Sequence, residues 1–117
     1  MGSIDSGRKR FWSAVKGMAQ SDRGLRERLH DAYQFHIAHV TDKDVPEGLR
    51  PDLAELVRML NHRPSRGSNE GRCKATTDQM TDGEAEAAAD LIMQLFEYIE
   101  EHYWEEKIYP PPPASPL

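Results

Sequence analysis

The chain has 117 residues, 38% of them hydrophobic and 30% charged, with a formal net charge of −5. That length buries one compact core and not two, and the acid excess argues against a whole-surface affinity for nucleic acid or anionic membrane. No apolar run is long enough for a secretory h-region or a membrane span, and a lone cysteine, Cys73, excludes an internal disulfide, so a reducing cytoplasm is the expected location.

Residues 1–7 are expected as a tail to a single domain over 8–108. Phe11, Ala14, Val15 and Met18 recur at helical spacing and predict a first helix over 8–20. "QSDRG" follows, with Ser21 or Asp22 as a cap and Gly24 weakening the turn. Because Met18, Leu25 and Leu29 stay in phase, one kinked helix to about residue 40 is the alternative, but a break is favoured. A second helix is predicted over 22–40, with Leu25, Leu29, Ala32, Tyr33 and Val40 on one face.

Pro46 and Gly48 end that helix, and "LRPDLAELVRML" opens a third, with Pro51 at its start and Leu53, Leu56, Val57 and Leu60 as its buried stripe. Residues 62–80 are polar and without period, and they are expected as a long mobile loop. "TDGE", Thr81 to Glu84, has capping-box spacing. It starts a last helix to about Glu106, lined by Ala85, Ala88, Ala89, Ile92, Leu95, Phe96, Ile99 and Tyr103. Residues 109–117, "YPPPPASPL", read as a disordered polyproline II tail. The expected fold is all-α: a small antiparallel bundle of about four helices with one long loop and a proline-rich tail.

Three histidines crowd into "HDAYQFHIAHV". On a continuous second helix His36 falls in the middle of the apolar stripe, His39 at its edge and His30 towards solvent. They therefore do not converge on one ion. "ERLH" gives one Glu-x-x-His pair, Glu27 and His30, and a bundle metal site wants more than one. No metal and no cofactor are expected, and His36 reads as a mostly buried core imidazole with a lowered pKa.

Catalytic chemistry is sparse. Cys73 reads as an exposed thiol next to Arg72 and Lys74, and no phosphate-binding glycine loop or zincin motif occurs. "RGLRERLH" places Arg23 seven residues before His30. That spacing resembles the Arg-x4–6-His motif of HEPN-type ribonucleases, which are small helical bundles with a composite site at a dimer interface. The resemblance implies that His30 polarises the scissile phosphodiester and Arg23 binds phosphate. It covers only this stretch, and Gly24 stands where the family usually has a polar side chain.

Two further surfaces stand out. Arg63, Arg66, Arg72 and Lys74 make residues 62–80 a candidate anion-binding loop, although no aromatic residue there offers a base a stacking surface. Ala87, Leu91 and Tyr98 form a second apolar strip on the last helix, away from its main face, and are the expected contact of a homodimer. Charge is uneven too: residues 1–40 hold seven Lys/Arg against four Asp/Glu, whereas Asp82 to Lys107 hold nine acids and one base. The expected function is a non-catalytic cytoplasmic interaction or accessory subunit that binds itself and another protein. The alternative is a HEPN-like ribonuclease or RNA-binding bundle using Arg23 and His30.

Overall fold

The computed structural model describes residues 2–67 and 70–108. Among the described residues five α-helices make an antiparallel bundle, with no strand. The proline-rich stretch 109–117 lies outside them. Helix α1 (Ile4–Gln20) begins inside the stretch expected as a tail. Ser3 is the reason: its Oγ accepts the Ser6 amide at 3.0 Å, and Asp5 complements the positive helix end. The Ser3 amide in turn donates to Asp44 Oδ1 at 2.8 Å, tying the start of the helix to a turn far along the chain.

The break after α1 occurs as favoured, and α2 (Leu25–Phe35) follows it. This helix stops five residues short of the expected end at 40. His36 takes φ −130 and ψ −61, outside the helical region, and a 3-10 turn covers Ile37–His39. β-Branched Ile37, Val40 and Thr41 and the Asp42–Asp44 turn give the helix little reason to continue. The consequence is a rotation: Ile37 enters the core at 1% exposure, while His36 swings out to a half-buried position at the helix end.

Two further 3-10 turns, Asp42–Asp44 and Glu47–Leu49, lead to α3 (Arg50–Asn61), which has Pro51 in its first turn and buries Leu53, Leu56 and Leu60. Helix α4 (Arg72–Asp78) corrects the expectation of one long loop over residues 62–80. It buries Cys73, Ala75, Thr76 and Thr77 between α2 and α3, and Met80 closes the same region. Small side chains allow this close approach. The two threonine hydroxyls are satisfied within the helix, Thr76 donating to the Arg72 carbonyl and Thr77 to that of Lys74.

Helix α5 (Asp82–Ile108) starts at the predicted capping box. The Glu84 amide donates to Thr81 Oγ1 at 3.1 Å, and the Thr81 amide donates to Glu84 Oε1 at 3.0 Å. Ala85, Ala88, Ile92, Leu95 and Ile99 form its buried face. The core joins Phe11 of α1, Leu29 of α2, Leu56 and Leu60 of α3 and the α5 stripe. Burial of each such large side chain contributes about 1.5–3 kcal/mol. Arg8 meeting Glu100, and Trp12 meeting Phe96, show that α1 runs antiparallel to α5.

Candidate functional site

Arg23 and His30 do not share a helix, because Arg23 precedes α2. Asp31 nevertheless brings them to one carboxylate. Arg23 Nη1 donates to its Oδ2 at 2.6 Å, and His30 Nδ1 lies 3.5 Å from its Oδ1. His30 is half-buried, not exposed as expected, since it faces a cavity of about 310 Å³ at the seam of α2 and α4. Tyr33, Gln34, Asn61, Arg72 and Lys74 share that lining.

The basic stretch over 62–80 is largely neutralised by its own acids. Arg66 pairs with Glu70 at 2.7 Å and with Asp78 at 3.2 Å, and Lys74 pairs with Asp78 at 2.7 Å. The Arg66 side chain and amide together pull the Glu70 carboxyl down to about 2. Arg63 is half-buried, its amide donating to Thr76 Oγ1. Arg72 is exposed and makes no ion pair among the described residues. Cys73 is 8% exposed, and burial pushes its thiol up to about 12, so it is not the exposed thiol expected.

Among the described residues, no group of three His, Cys, Asp or Glu side chains is placed to hold a metal ion, and no helix is long and apolar enough to cross a membrane. His36 lies beside Arg10 and His39. Its partial burial and those two neighbours hold its pKa below the usual histidine value, the direction expected although its position is not.

On α5, Ala87 and Tyr98 are exposed, while Leu91 packs partly against the core. Tyr98 edges a shallow cavity with Pro46, Leu49 and His102. The larger exposed aromatic surface lies on the other side of α5, along its seam with α1. Trp12 is 50% exposed and stacks on Phe96 with ring centroids 6.0 Å apart. Towards the end of α5 the Arg8 guanidinium sits 4.3 Å from the centre of the Tyr103 ring and bridges Asp5 and Glu100. Trp104, 48% exposed, packs edge-on to Tyr103 and donates from Nε1 to Glu100 at 2.9 Å. Met93 and Ile108 are exposed on the same side, within roughly 60° of Trp104 around the helix axis.

Sequence reasoning missed this seam. The signal was Trp12 itself, a large aromatic residue standing off the Phe11, Ala14, Val15 and Met18 stripe. No protein-family model matches the sequence, and no curated protein or solved structure is significantly similar to it.

Proposed function

We propose that this protein is a non-catalytic interaction module whose docking face is the aromatic seam of α1 and α5, and that its first partner is a second copy of itself. The observation that carries the reading is the exposure of Trp12 and Trp104 on one seam, with Arg8 between the two helices. Tryptophan, tyrosine and arginine are the residues that dominate binding energy at interfaces, and a contiguous exposed apolar strip marks such a surface.

Charge supports the second copy. Arg8, Lys9, Arg10 and Lys16 make α1 basic, and α5 is strongly acidic. A twofold axis through the seam lays the basic helix of one protomer over the acidic helix of the other. The reducing, cytoplasmic setting belongs to the same proposal and rests on the buried single thiol.

Light scattering after gel filtration tests it. A dimer mass is expected at micromolar concentration, and Trp12→Glu with Trp104→Glu should reduce it to a monomer. If instead Ala87→Glu with Tyr98→Glu breaks the dimer and the tryptophan pair does not, the contact is the strip on the other side of α5. A monomeric wild type overturns the self-association.

A second reading, a HEPN-like ribonuclease or RNA binder, is favoured by one observation: Asp31 braces His30 at a cavity that also holds Arg72 and Lys74. Against it, the Arg23 guanidinium is already committed to Asp31. RNA cleavage lost in His30→Ala with the fold retained supports it. Absence of cleavage, or cleavage untouched by that change, removes it.

A further inference from the structure

The end of α2 creates a second polar feature, independent of the aromatic seam. Two cavities, of about 400 and 510 Å³, adjoin beside the first turns of α1 and share Ser6 and Arg10. Ser6, Arg10 and Ser13 sit at helical spacing and face the same groove. His36 lines the first cavity and His39 the second, because the chain leaves the helix at Phe35 and turns both rings towards α1.

Arg10 is half-buried, and its Nε is buried without a hydrogen-bond partner. Among the described residues no carboxylate forms an ion pair with it. Asp44, the buried acid nearby, already accepts from the Ser3 amide, the Thr41 amide and the Thr41 hydroxyl. Asp5, which lines the first cavity with Lys9, is paired with Arg8 and Lys9. Arg10 and His36 thus meet at the first cavity while Asp5 and Asp44 are already engaged, an arrangement that favours an anion from outside the chain.

We infer that the first cavity binds the phosphate group of a small phosphomonoester, with Arg10 as the principal contact, Ser6 and Ser13 as hydroxyl donors and His36 as a protonatable second cation. A planar guanidinium matches two phosphate oxygens at once. A monoester carries close to two negative charges near neutral pH, so it gains more from converging cations than a carboxylate or a phosphodiester does. Each cavity has an acid in its lining, but Asp5 of the first is paired with Arg8 and Lys9, whereas the Asp42 carboxylate of the second makes no ion pair among the described residues and repels an anion, which favours the first cavity for the phosphate. No Phe, Tyr or Trp side chain lines either cavity, and recognition is confined to the phosphate group of a small non-aromatic ester.

The test is an NMR titration of the full chain with glycerol 3-phosphate at constant ionic strength, following the His36 ring. The groups around that ring are Arg10, Lys9 and Asp5 from α1, His39 from the following turn, and Arg28 and Asp31 from α2. Saturable shifts are expected, with the His36 titration midpoint moving up in the complex. Arg10→Gln should weaken binding at least tenfold, while Arg58→Gln, an exposed cation on α3 outside the groove, leaves it unchanged. Should Arg10→Gln fail to fold by circular dichroism, Ser6→Ala with Ser13→Ala must produce the loss instead. Dimethyl phosphate should bind at least tenfold more weakly than the monoester. Equal binding of the diester, equal shifts from chloride, or an affinity indifferent to these changes each overturns the proposal.

Discussion

Gly7 and Gly17 lie on the same helix, and one added methyl group acts in opposite directions at the two positions. A Cβ at Gly7 would stand 1.9 Å from the Asp44 carbonyl oxygen, a backbone atom, because α1 lies directly against the Asp42–Asp44 turn there. At Gly17 the same Cβ meets nothing. Gly17→Ala should therefore stabilise by about 0.5–1 kcal/mol through helix propensity. Gly7→Ala should lose about 1–3 kcal/mol as the helix is forced off the turn. Urea denaturation of the two variants checks the sign of each. Cys73 is the second test at this scale. With its thiol buried and pushed up to about 12, it should react with Ellman's reagent only as the protein unfolds; fast labelling of native protein would show that α4 opens. Neither feature was legible in the sequence. A glycine in a helical pattern does not disclose what lies against it, and the charges beside Cys73 suggested exposure although its own side chain faces inward.

At the scale of the element, apolar period located α1, α3 and α5, where Leu, Ile, Ala and Phe form the stripe. It missed α4, whose buried positions are Cys73, Ala75, Thr76 and Thr77. Threonine counts as polar in any hydropathy pattern, yet it is buried here because its hydroxyl bonds back along the helix. Period also overran the end of α2: extending the stripe to Val40 put His36 inside and said nothing of Ile37. Of the candidate sites, individual residues were legible but not their pairing, since Asp31, Glu70 and Asp78 neutralise Arg23, Arg66 and Lys74 through the fold. The actual end of α2 has a pH consequence. The folded-state pKa of His36 lies below the usual 6.5, so the unfolded chain takes up that proton first. Stability is then greatest above that value and falls as pH drops through it, until the native ring is protonated as well. Melting temperature should decline between pH 7.5 and 5.5, and His36→Gln should flatten part of the decline. Asp44 does not confuse this window. Burial alone would raise its carboxyl, but the bonds from Thr41 and Ser3, with Arg10 nearby, hold it below 3.8, so its contribution fades only at more acid pH.

For the whole molecule, the charge asymmetry of the sequence is partly consumed within the fold. Arg8 reaches Glu100, and Arg26 reaches the Met80 carbonyl and Asp82, so basic helices are laid against the acidic one. Lys16 and most of the α5 acids stay exposed and available to a second protomer. If the dimer forms as proposed, raising salt from 0.05 to about 0.5 M should weaken it, because exposed charge pairs are screened within a Debye length of about 10 Å at 0.1 M. A dimer equally firm at both concentrations would assign the contact to the tryptophans alone.

The pairing of α1 with α5 also governs the order in which the molecule can be completed. Contacts such as Arg8 with Glu100 span 92 positions, so within this bundle the earlier-made α1 packs against the later-made α5. Until residues 92–99 have emerged, Phe11 and Ala14 lack the part of their cover that α5 supplies, with only α2 and the turns after it to pack on. A nascent chain therefore carries α1 with its α5 flank uncovered while α2, α3 and α4 are being made. The late arrival of α5 supplies that missing flank, so before it residues 4–20 are the segment most open to unwanted association.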